Sequence, residues 1–324
     1  MQHLRTGLPA RFAVATAAAF FFQAAPVQAA TSILFIGNSF TYGALATAQD
    51  YIPGSVTDLR GTGIGGVPAI FKKLTVEAGL DYDVSLETQP GSNLDYHYDN
   101  QLALIDKPWD KVVMHGQSNL DFNAPNDPTK ISTYTGLLGA VFKAQNPNVE
   151  ISLTATWARA DLTYANASSP WYGEPISAMA YDLQAGYEVA KANNPTVVDH
   201  INPVGLAWNR AMEIGIADPN PYDGVTPGQI NLWAPENYHA SNAGYYLHAL
   251  VVFGMETGID PRTLGGTEQA AFDLGLSASE AYALQVVAFD TISAVPEAST
   301  WLMMLMGGGL IGWLYRRKTA AEAA

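Results

Sequence analysis

The stretch Ile33-Leu34-Phe35-Ile36-Gly37-Asn38-Ser39-Phe40-Thr41 decides the fold. Four large apolar residues in succession suit a strand buried on both faces. The run then breaks into small and polar residues, as a tight turn into a helix requires. Four further β-rich runs follow: Tyr82 to Thr88, which alternates, Lys111 to Met114, Ile151 to Thr156 and Thr196 to Ile201. Helices are expected over 67–79, 130–145, 175–193, 205–217, 241–257 and 279–292. Strands separated by helices imply parallel crossovers. The prediction is an α/β fold, a three-layer α/β/α sandwich with a central, mostly parallel sheet of about five strands.

Open parallel sheets bind ligands beyond the carboxyl ends of their strands, where strand order reverses. The turns at those ends are informative. Gly37-Asn38-Ser39-Phe40-Thr41 follows the first strand and Pro90-Gly91-Ser92-Asn93 the second. His115-Gly116-Gln117-Ser118-Asn119 follows the third, and Trp157-Ala158-Arg159 the fourth. Together they supply hydroxyls, amides and exposed backbone N–H groups to one rim.

Nucleophilic catalysis by serine needs a base, a group that orients the base, and donors for an oxyanion. Ser39 has the position of a nucleophile, although a serine there also suits a helix cap. Glu236-Asn237-Tyr238-His239 supplies a base: an acid three residues before a histidine can turn back onto Nδ1–H and leave Nε2 to face a hydroxyl. The chain has six histidines, and neither His97 nor His200 has an acid so placed. No cluster has metal-ligand spacing. The acidic loop Asp121–Asp127 reads as a solvated loop, and no metal or cofactor is expected.

Both ends of the 324-residue chain read as processing signals. Residues 1–29 carry Arg5 and Arg11, an apolar stretch from Phe12 to Phe22 and small residues before a cut after Ala29, as a secretory signal does. That apolar stretch is shorter than the roughly 20 residues of a membrane span. At the other end, Val295-Pro296-Glu297-Ala298-Ser299-Thr300-Trp301 precedes an apolar segment, Leu302 to Tyr315, and then Arg316-Arg317-Lys318. This reads as a short anchor with a basic stop, in transient contact with a membrane. Without both ends, Lys+Arg falls from 16 to 11 and Asp+Glu from 30 to 28, which leaves −17 over 30–294. That charge repels nucleic acid, which is excluded as a partner. The absence of cysteine excludes disulfides and thiolate chemistry.

These pieces resemble the SGNH (GDSL-like) hydrolase superfamily. Gly37-Asn38-Ser39-Phe40 matches its first block, Gly91 its second, Gly116-Gln117-Ser118-Asn119 its third and Glu236-Asn237-Tyr238-His239 its last. Glu236 stands where the family has aspartate, and Asn119 lies one position late. The resemblance implies a flavodoxin-like sandwich over 30–294 and a serine esterase with Ser39 as nucleophile, His239 as base and Glu236 as orienting acid. The oxyanion would be held by the N–H groups of Ser39 and Gly91 and by a third-block side chain, Asn119 before Gln117, with Ser118 open. From their place after the fourth strand, Trp157 and Arg159 are expected to wall the substrate pocket, with a core position equally open for Trp157. The C-terminal stretch, 295–324, resembles a PEP-CTERM sorting tail. That resemblance implies an exosortase-type processing partner and release to the cell surface or matrix of a Gram-negative bacterium.

Export and fold analogy together point to small acyl esters, such as acetyl groups on a polysaccharide. Three alternatives stay open: Ser118 as nucleophile, as in sialate O-acetylesterase-type enzymes; a lipase or phospholipase; and a non-catalytic carbohydrate-binding matrix protein on a hydrolase-like fold.

Overall fold

The opening apolar run becomes β1 (Thr31–Gly37), buried from Ile33 onward. The computed structural model describes residues 29–294. The expected leader, apart from Ala29, and the expected sorting tail lie outside the described residues. After β1 come α1 (Ser39–Tyr42), β2 (Thr57–Asp58), α2 (Gly66–Glu77), β3 (Tyr82–Thr88) and α3 (Leu94–Ile105). Next are β4 (Lys111–Met114), α4 (Thr129–Gln145), β5 (Glu150–Thr154), α5 (Ile176–Asn193), β6 (His200–Asn202) and α6 (Val204–Glu213). The described chain ends with α7 (Asn242–Thr257), α8 (Gln269–Asp273) and α9 (Ala278–Ala294).

The sheet runs in the order β2-β3-β1-β4-β5-β6, and every pairing is parallel. From β1 the chain steps to one side for β3, then crosses back over β1 to β4. Right-handed crossovers in opposite directions put the connecting helices on opposite faces. One layer holds α3, α4 and α5 side by side, the other holds α2, α7 and α9, and α6 touches both α5 and α7. The reversal of strand order falls at β1, so the crevice opens beyond Gly37. There Gly37 pairs with Thr88 of β3, and Ile36 pairs with Met114 of β4.

The expected sandwich and its parallel sheet are present, with six strands where about five were expected. The extra one, β2, is a two-residue edge strand. The fifth expected strand starts later, at His200, because Val197 and Val198 donate to Asn194 O and close a turn instead. α6 stops at Glu213, four residues short of expectation, where Gly215 takes a left-handed conformation (φ 74°) that ends the helix. α3 lies outside every expected helical range. Among the described residues no helix is long and apolar enough to cross a membrane.

Candidate active site

Asn38, immediately after β1, ties three turns together. Its Oδ1 accepts from Phe40 N (3.1 Å), which makes Asn38, not Ser39, the cap of α1. Its Nδ2 donates to Ser92 O (3.0 Å) and to Gly116 O (2.9 Å). Ser39 is thereby the first residue of α1 and nearly buried. Among the described residues neither its backbone N–H nor its Oγ has a hydrogen-bond partner. Gly37 has to be glycine: a Cβ there would lie 2.2 Å from Thr41 Oγ1 and 2.5 Å from His115 Nε2. His115 Nδ1–H donates to Gly116 O (2.9 Å), so its Nε2 accepts from the Thr41 hydroxyl (2.6 Å). Burial pushes His115 down to about 4, which keeps it neutral.

The base sits in a closed turn. Trp233 bridges Ala240, Ala234 N donates to His239 O (2.8 Å), and Asn237 takes a left-handed conformation (φ 63°) that asparagine tolerates better than most residues. This folds Glu236 back onto His239. One carboxylate oxygen, Oε1, accepts from His239 N (2.8 Å) and from His239 Nδ1–H (2.7 Å). Nε2 is then a bare acceptor. It is buried and has no partner among the described residues, a condition that native proteins seldom tolerate without a functional reason. The ring lies 5.6 Å from that of Phe40, the neighbour of Ser39. The expected hydrogen bond between Ser39 and His239 is not formed; Oγ and Nε2 are both unpartnered. Catalytic hydrogen bonds are often long without substrate and tighten when it binds.

Burial holds His239 below the ordinary imidazole range; Glu236 opposes this and the Arg159 charge reinforces it. Arg159 lies 3.6 Å above the Tyr238 ring, and Tyr238 lies 4.2 Å from the His239 ring. The guanidinium is fixed by Asp161, to which Nε and Nη2 donate at 3.0 and 2.6 Å. Arg159 therefore braces the base from the rim. Trp157, read as pocket wall or core, is fully buried. It stacks on Trp208 at 4.8 Å, meets Phe40 edge-on at 4.0 Å and donates Nε1–H to Tyr238 O (3.2 Å). It supports the site from below, because the chain after β5 turns inward there.

Gly91 adopts φ 69°, and its N–H has no partner among the described residues. Gln117, the second choice for the oxyanion, is committed: Nε2 donates to Gly91 O (2.9 Å) and Oε1 accepts from Phe122 N (2.9 Å). Asn119 Nδ2 makes no hydrogen bond within the described protein, and its Oδ1 is a buried orphan. Ser118 is buried and receives only a long contact from Arg159 Nη1 (3.4 Å); no imidazole bonds it. In the acidic loop, Asp121 is paired with Lys130 at 3.0 Å. A hollow of about 830 Å³ between α5, α6 and α9, at Tyr181, Arg210 and Asp290, holds none of these residues.

His97 and His200, which lack an acid three residues before them, each find one in space. His200 Nε2 lies 3.0 Å from Glu256. His97 Nδ1 bonds Glu87, and its Nε2 lies 2.8 Å from Ser92 Oγ. A second Ser-His-Glu set therefore stands beside the first. The serines are equally accessible, but the His97 and Glu87 side chains are 0% exposed, against 13% for His239 and 34% for Glu236.

Residues 294–318 match the PEP-CTERM protein-sorting motif, which marks a chain exported and sorted by an exosortase-type enzyme. No curated protein matches the chain. Among solved structures, a putative GDSL-like lipase from Parabacteroides merdae is 17% identical, with 70% of this chain and 95% of that one covered and a TM-score of 0.47. TesA is 14% identical, with 70% and 99% covered and a TM-score of 0.45. A two-domain esterase active on acetylated mannans is 13% identical, with 71% and 49% covered and a TM-score of 0.44.

Proposed function

We propose that the protein is an exported serine ester hydrolase of SGNH type. It would comprise a leader over 1–29, a hydrolase domain over 30–294 and a sorting tail over 295–324, anchored in the membrane until an exosortase-type enzyme removes it. The observation that carries this reading is the Glu236-ordered imidazole of His239, whose bare Nε2 stands beside the Ser39 turn. Ser39 Oγ attacks the ester carbonyl carbon while His239 Nε2 takes its proton. Glu236 stabilises the imidazolium. The oxyanion is met by the N–H groups of Ser39 and Gly91 and by Asn119 Nδ2, each without a protein acceptor. They belong to the three turns that Asn38 joins. Such a donor typically contributes about 3 kcal/mol of transition-state stabilisation. His239 then protonates the leaving alcohol, and water, activated by the same imidazole, releases the acid and frees Ser39.

The substrate class is a neutral acyl ester, with acetyl groups on an extracellular polysaccharide as the leading case. The strongly acidic mature chain disfavours polyanions. One observation favours the non-catalytic alternative, the absent Ser39–His239 hydrogen bond. The test is hydrolysis of aryl esters of increasing chain length by the wild type, Ser39→Ala and Ser118→Ala, with a serine-reactive phosphonate adduct located by peptide mass spectrometry. Loss of activity only in Ser39→Ala, a label on Ser39 and a steep fall beyond acetate are expected. An active Ser39→Ala would overturn the assignment, and an inert wild type would favour the matrix protein.

A further inference from the structure

The buried Glu87–His97–Ser92 set has no place in the chemistry above, yet it adjoins Gly91. Glu87 comes from the penultimate position of β3 and His97 from the first turn of α3. Both side chains are sealed from solvent. Glu87 Oε1 has no partner among the described residues. A polar oxygen left unpaired in a core is costly, where an apolar residue would cost nothing. Unlike Ser39 Oγ, Ser92 Oγ is already committed, to His97 Nε2 and to Gln89 O. A connected polar network in a low-dielectric interior does one thing well: it fixes geometry.

The geometry in question is that of the turn Gln89–Ser92. Gln89 N donates to Gly37 O (3.0 Å), which fixes the start of the turn to the end of β1. At the far end Ser92 Oγ lies 2.8 Å from His97 Nε2 and 2.9 Å from Gln89 O, and Ser92 O receives Asn38 Nδ2. Gly91 lies between these anchors. It has no side chain to pack and sits in a left-handed conformation with open space around it. Its amide direction therefore depends on its neighbours. We infer that Glu87, His97 and Ser92 are positioning residues that aim the Gly91 N–H at the oxyanion. The inference rests on the ester-hydrolase reading.

The test compares Ser92→Ala, Ser92→Thr and Glu87→Gln with the wild type as the full-length protein. Steady-state hydrolysis of an aryl acetate and thermal unfolding are measured on each. Ser92→Ala is small enough to fold if Glu87→Gln does not. A misaimed donor lowers kcat by roughly 10- to 100-fold while KM stays within about two-fold, because the interaction forms only in the transition state. Ser92→Thr keeps the hydroxyl and recovers most of the rate. A folded Ser92→Ala at wild-type kcat overturns the inference. So does a loss that follows Tm alone, without the split between kcat and KM. Failure of the underlying reading looks different: Ser39→Ala stays active, or the phosphonate labels Ser92.

Discussion

Replacing Glu236 by Gln perturbs the base without emptying its place. In the wild type, Glu236 Oε1 holds both His239 N (2.8 Å) and Nδ1 (2.7 Å). When Nε2 takes the Ser39 proton, the ring becomes a cation beside that carboxylate. Two unit charges about 4 Å apart near a protein surface attract by about 4 kcal/mol. Glu236 is 34% exposed, so solvent screening reduces this to roughly 2 kcal/mol. That is about 30-fold in kcat. Glutamine adds a second loss, since its NH₂ can face Nδ1 and favour the tautomer that carries its proton on Nε2, where it blocks the base. The expected result is a kcat lower by on the order of 100-fold with little change in KM. Glu236→Asp keeps the charge but is one methylene too short to hold both nitrogens, and falls in between. Glu236 raises the pKa of His239, so its removal also shifts the acid limb of the pH–rate profile to lower pH. Initial rates of nitrophenol release from an aryl acetate, from about pH 5 to 9, read both effects. A Glu236→Gln variant with wild-type kcat and an unmoved acid limb would refute the role of this pair.

Three further outcomes follow from the same geometry. The wild-type acid limb of kcat/KM lies below the ordinary imidazole range, because burial holds His239 down. Arg159→Gln removes a charge that reinforces this and moves the limb up; a limb that stays put contradicts the brace. Gly37→Ala drives a methyl into the Thr41–His115 contact. Overpacking of this kind costs about 1–3 kcal/mol, read as a lower urea midpoint, and an unchanged midpoint would show that the contact yields freely. Acid stability reports the buried histidines. Burial lowers His115 to about 4 and His248, buried in α7, to about 3, both below the unfolded value near 6.5. The unfolded chain therefore takes up protons first: stability is complete above about pH 6.5 and is lost as pH falls toward the folded values. From pH 7 to pH 4.5 the two together remove on the order of 5 kcal/mol, and a urea midpoint that stays flat over that range contradicts their burial as neutral rings.

The parts of this site that were legible in the sequence are those whose physics is local. Ile33 to Ile36 announced a strand buried on both faces, and β1 is that strand. The Glu236–His239 bond was legible because donor and acceptor are three residues apart and one turn suffices to join them. α3 was missed because its sequence, LDYHYDNQLALI, is polar over its first two turns; its buried His97 is held by an acid from β3, not by an apolar stripe. The same holds for His200, whose partner Glu256 lies 56 residues away on α7, and for Arg159, whose target Tyr238 comes from another turn. His200 and Glu256, and Arg159 and Tyr238, lie too far apart for any window of sequence to pair them; the fold brings them together. Asn38 joins the two kinds of information. Its neighbours in sequence mark a nucleophile turn, but its amide reaches Ser92 and Gly116, 54 and 78 residues onward. An aspartate at that position could still cap α1, but it would turn two donated bonds into two carboxylate–carbonyl contacts. The preference for asparagine here therefore follows from the fold: the residue before Ser39 must cap one turn and donate to two others.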